Sequence, residues 1–166
     1  MGAIEIQQDP QLQVREVIGI LQSSPVMEDG VRSALYKAYS GRVWERVFAE
    51  GLTYGEASGA PGTAMATRDD AEFRVRLRAI DNDLDAQIGI VRDGVLHYFK
   101  NGEFPPPYYA WRVAIILRSQ RRFQLEADFL RAFCRHFSGG PGKRYQDLFS
   151  RIPKAQALAD KVVRRA

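Results

Sequence analysis

Apolar residues recur along most of this chain at the three-and-four spacing of a helix. Val14, Val17, Ile18 and Leu21 fall at i, i+3, i+4 and i+7, behind an Asp9-Pro10 pair that suits an N-cap and a first helical residue. Ser24-Pro25 repeats the start signal. Val31, Ala34, Leu35, Ala38 and Tyr39 form the next stripe, with Gly41 as its expected stop. A short third helix is expected from Val43 to Glu50, presenting Trp44, Val47 and Phe48 and ending at Gly51. No helix crosses Pro105-Pro106-Pro107, but beyond it the signal is strong. Val113, Ile116 and Leu117 share one face, and Leu125, Phe129, Ala132, Phe133 and Phe137 make a second stripe. Tyr145, Leu148, Phe149 and Ile152 make a third, which Leu158, Ala159 and Val162 continue past Pro153. That proline either kinks one helix or starts another.

Two intervals read less cleanly. Residues 53–67 are rich in Gly, Ala, Ser and Thr and are expected to be a loop. In 69–99, Phe73, Val75, Leu77 and Ala79 alternate with Arg74, Arg76 and Arg78, which is a strand pattern. Phe73, Leu77, Ile80, Leu84, Ile88, Val91 and Val95 keep a helical period over a longer stretch, so helix is expected to exceed strand there. The fold class is therefore all-α: a bundle of five or six helices, with a hairpin at 108–137, a helix over 143–164, and a small β-element in 71–99 as the alternative. The expected division is an N-terminal helical segment 1–52, a loop 53–68 and a main helical domain 69–166, or else one continuous domain 1–166.

Charge changes the picture more than composition does. Residues 1–111 carry 11 Lys+Arg against 16 Asp+Glu, a net of −5, while residues 112–166 carry 13 against 4, a net of +9. Such asymmetry bears on partners, not on fold. Arginine outnumbers lysine 19 to 5, a bias that reflects a GC-rich coding genome rather than function; a bacterial protein is expected. Cys134 is the one cysteine, so no internal disulfide framework exists. No apolar run is long enough to span a bilayer, and the first residues lack the basic-then-apolar order of a signal peptide, so a cytoplasmic location is expected.

The stretch from Arg112 to Phe123, running on to Glu126, Leu130 and Ala132, resembles one tetratricopeptide-type helical hairpin. In that hairpin a first helix ends in a polar turn followed by an aromatic residue, and a second helix starts with an acidic residue. Phe123 stands in the aromatic position and Ala132 in the small one. Two positions depart from the pattern: Arg121 stands where the turn usually has Gly, and Glu126 replaces the small residue early in the second helix. No second copy is legible at a spacing near 34 residues.

Motifs that carry chemistry fall short one by one. Asp81, Asp83 and Asp85 match the first ligands of a calcium loop, but Ala86 and Arg92 stand where it needs Gly and a bidentate Glu. The Gly-rich run at 138–143 has Phe137 and Arg144 where a phosphate loop needs Gly and Ser or Thr. Cys134 and His136 lie two apart and so point about 200° from each other on a helix. Cys134 is read as a packing residue and His136 as one on a polar edge. With His97 added, one Cys and two His are too few for a zinc site. No catalytic residue, metal or cofactor is expected.

What remains is basic. Arg118, Arg121, Arg122, Arg131, Arg135, Lys143 and Arg144 cluster at the ends and on the polar faces of the last helices. The plain account is a solvated face with cations favourable at helix C-termini. The functional account is a non-catalytic adaptor module with an acidic protein or peptide as partner. Nucleic acid bound by residues 112–166 is the alternative.

Overall fold

The computed structural model describes residues 9–59 and 69–165, and among these every regular element is a helix. There are eight: α1 (Pro10–Ser23), α2 (Asp29–Glu50), α3 (Tyr54–Ser58), α4 (Asp70–Ala79), α5 (Leu84–Asn101), α6 (Pro107–Ser119), α7 (Phe123–Phe137) and α8 (Lys143–Val163). The all-α class holds. The count of five or six is corrected to eight, and the alternating residues of 71–99 form no strand.

The extra helices come from local capping. Asp83 accepts from the Ala86 N–H at 3.0 Å and starts α5 afresh, so the long apolar period of 69–99 is split into α4 and α5. Thr53 and Glu56 close a reciprocal capping box that nucleates α3 inside the interval expected to be a loop. The rest of that interval, residues 60–68, lies outside the described residues.

Other start and stop signals are overridden. Asp9 caps α1 as expected, accepting from the Gln11 N–H at 3.0 Å. Ser24 does not start a helix; its hydroxyl donates back to the Ile20 carbonyl at 2.7 Å and helps to end α1, while α2 begins at Asp29. Gly41 does not stop α2, which runs on to Glu50 as one helix. A mid-helix glycine costs only about 1 kcal/mol, less than starting a second helix would. Pro153 likewise sits inside an unbroken α8.

One large core joins α1, α5, α6, α7 and α8, with Phe129, Phe133 and Phe137 among its most buried side chains. Helix α7 packs on α1, α6 and α8 together. Tyr145 of α8 donates its hydroxyl to the Pro105 carbonyl, which ties the proline run to the bundle. The α4–α5 turn is fastened to α6 through Tyr108, whose hydroxyl donates to Asp81 at 2.6 Å, and through the Arg112 Nε, 2.9 Å from the Asp81 carbonyl.

Helices α2 and α3 stand apart from that core. Their buried residues, Tyr39, Val43 and Ala57, form a small cluster of their own. The stripe expected on α2 is mostly in solvent, with Trp44 47% and Phe48 82% exposed. Gly102 makes the closest link to the bundle: its φ is +70°, and a Cβ there would lie 2.4 Å from the Arg32 carbonyl oxygen. Only glycine fits a left-handed position that close to another backbone.

Candidate functional site

The basic half of the chain is organised around one buried acid. Glu126, in the first turn of α7, has no solvent exposure. Arg118 of α6 donates from Nε to one carboxylate oxygen at 2.9 Å, and Arg151 of α8 donates from Nε to the other at 2.7 Å. The Arg118 Nη2 also lies 2.9 Å from the carboxylate, an ion-pair contact without a hydrogen bond. A buried carboxylate is tolerable only when paired and hydrogen-bonded; here two guanidiniums from two helices meet that need. Trp111 faces the same cluster, with Arg144 and Arg151 at 4.9 and 5.2 Å from its ring centre.

The seven residues expected to meet a partner are therefore not one surface. Arg118 is half-buried and committed to Glu126. Arg131 pairs with Asp128 at 2.6 Å and donates to Gln156, linking α7 to α8. Arg135 donates to the Leu21 and Gln22 carbonyls at 3.4 and 3.2 Å, capping the C-terminal end of α1. Arg144 lies on Trp111, and Lys143 is exposed at the first turn of α8. Side-chain partners in the folded state are invisible to a reading that knows only which face of a helix a residue occupies.

Arg121 and Arg122 are different. They form the turn between α6 and α7, where the Arg122 N–H bonds the Leu117 carbonyl at 2.9 Å and the Arg121 N–H bonds the Arg118 carbonyl at 3.0 Å. This double closure is a Schellman turn, and it places its C′ residue in the left-handed region. Arg121 occupies that place with φ +58°, the one non-glycine residue at positive φ among those described. Arg122 is exposed, its guanidinium within 3.1 Å of the Gln11 amide oxygen when that amide is turned to face it.

Both arginines border a cleft of about 290 Å³ between α1, this turn and the end of α8. Arg15 of α1 supplies a third guanidinium, while Phe123, Leu125, Ala159, Val162 and Val163 supply apolar walls. Arg15 is not among the residues expected to meet a partner: it lies on the polar side of the first stripe, 106 residues from Arg121 in the chain. Val162, expected on an apolar stripe of the last helix, is half-exposed, and Val163 is more so.

Cys134 and His136 are both packed inside the bundle. Cys134 is buried, and burial pushes its thiol up to about 11, away from thiolate reactivity. His136 is not on a polar edge as expected but buried: its Nε2 lies 2.6 Å from the Leu21 carbonyl and its Nδ1 has no partner. Burial, opposed by that carbonyl, lowers its pKa below the usual histidine value. Among the described residues no three His, Cys, Asp or Glu side chains gather as a metal site, and no helix is long and apolar enough to cross a membrane. Comparison with protein-family models, with curated proteins and with solved structures finds no match.

Proposed function

We propose that this protein is a non-catalytic interaction module that takes an acidic peptide segment of a partner protein into the cleft bordered by Arg15, Arg121 and Arg122. One observation carries the reading. A non-glycine residue in the left-handed region costs about 1–2 kcal/mol, yet position 121 is arginine with φ +58°. Strain of this kind is held where a side chain is needed, and the Arg121 side chain borders the cleft. Three guanidiniums suit carboxylates, which they bind bidentately, and the apolar walls suit an anchoring side chain between the acids. The tetratricopeptide resemblance of residues 109–137 agrees with a peptide-binding role. A phosphate backbone is the weaker partner, because Arg118, Arg131, Arg135 and Arg144 are already engaged by protein groups.

The test is partner capture by the triple variant Arg15→Glu, Arg121→Glu, Arg122→Glu, with nuclease treatment as control and circular dichroism to confirm the fold. Arg118 is left intact because reversing its charge would face a buried Glu126. Loss of a nuclease-resistant partner is expected. A folded variant that keeps every partner of the parent would end the proposal. Arg121→Gly separates the two roles of that residue: it should stabilise the fold by about 0.5–1 kcal/mol and still weaken capture.

A further inference from the structure

A second cleft, of about 400 Å³, opens where α2, α3 and the end of α5 meet. Its volume falls among those of small-molecule sites. The rings of Tyr39 and His97 meet edge to face at 5.0 Å along it. Arg42 and Arg46, one turn apart on α2, line it together with Lys100 from the last turn of α5.

The carboxylates nearby are already committed. Glu50 holds Arg46 through Nε at 3.0 Å and Nη2 at 3.2 Å, and the Arg46 Nη1 donates to the Ala57 carbonyl at 2.8 Å. Glu103 lies 2.8 Å from the His97 Nε2, and the Asn101 amide nitrogen lies 3.2 Å from the His97 Nδ1. That pairing sets the tautomer: Nε2 donates to the carboxylate and Nδ1 accepts from the amide. Both imidazole nitrogens are then used, so His97 has none free to move a proton for a ligand. The cleft is built to bind, not to react.

What is left over is positive. Arg42 and Lys100 have no ion-pair partner among the described residues. Asn101 is nine-tenths buried and has a second amide hydrogen to give. We infer that this cleft binds the phosphoryl group of a small phosphomonoester. Arg42 and Lys100 would hold the phosphoryl oxygens, Asn101 would add an N–H, and the body of the ligand would lie along Tyr39 and His97. Phosphate is favoured over carboxylate by charge: a phosphomonoester carries about −1.5 to −2 at pH 7, matching two cations, where a carboxylate carries half as much.

Phenyl phosphate is the probe, titrated into the 15N-labelled full chain at pH 7.5 and fixed ionic strength, with benzoate as the carboxylate control. Saturable shifts are expected at the Arg42, Lys100 and Asn101 amides, with benzoate binding about tenfold more weakly. Arg42→Gln with Lys100→Gln, both exposed and outside the core, should raise the Kd for phenyl phosphate at least about tenfold while the spectrum stays folded. Equal binding of the two probes, unchanged affinity in the double variant, or saturation that moves Arg121 and Arg122 instead would each overturn the assignment.

Discussion

Helices α7 and α2 carry the same kind of apolar period and end in opposite places. In α7 the stripe Leu125, Phe129, Ala132, Phe133 and Phe137 is buried throughout, because α1, α6 and α8 close on it from three directions. In α2, a helix of 22 residues, only Tyr39 and Val43 are buried, and its main neighbours among the described helices are α3 and α5. Periodicity says that a helix has an apolar face. It does not say that another element arrives to cover it. The covering of α7 comes from three helices that are themselves strongly periodic, while α3 is five residues long and too small to cover α2.

The contrast can be broken by substitution. Phe133→Ala should cost about 3–5 kcal/mol in denaturant melts, since it empties a site 1% exposed in the centre of the main core. A loss below about 1 kcal/mol would mean that this face of α7 points elsewhere. Gly102→Ala tests the thin attachment of α2. Its left-handed φ and the 2.4 Å approach to Arg32 leave no room for a Cβ, and the cost should be about 1–3 kcal/mol. The signature is local: amide exchange in α2 should speed up while α7 stays protected. Uniform loss across both helices would show that α2 is held as firmly as the core. Phe48→Ser sharpens the other side, because a side chain 82% exposed should move stability by no more than about 0.5 kcal/mol.

Much of the fold was legible, and the misses share a cause. Asp9-Pro10, the stripes of α1, α6 and α7, and the helical preference of 69–99 rest on local period and capping, which a chain carries within a few residues. Gly41 and Pro153 are also local signals, but weak ones: each costs a few kcal/mol at most, and the neighbouring helical residues outweigh it; Ser24-Pro25 marks the end of α1 where a start was expected. Burial of α2 and of His136 could not be read, since it depends on which distant helix arrives. The candidate site shows the same limit. Arg121 and Arg122 stood out as charges at a turn, but Arg15 joins them only because α1 packs on α7. Arg118 reads as free in the sequence because nothing local marks Glu126, eight residues on, as its partner.

Glu126 also bears on how the chain is made. Its second guanidinium, Arg151, lies in α8, which leaves the ribosome after α7. Until α8 emerges, the acid has Arg118 alone, and the largest helix–helix interface of the bundle, α7 against α8, is missing. A chain in which α8 has not yet docked therefore carries α7 with one apolar flank open, and transiently exposed apolar surface of that kind favours aggregation. Closure of the main core therefore waits on α8, which follows α7 in the chain.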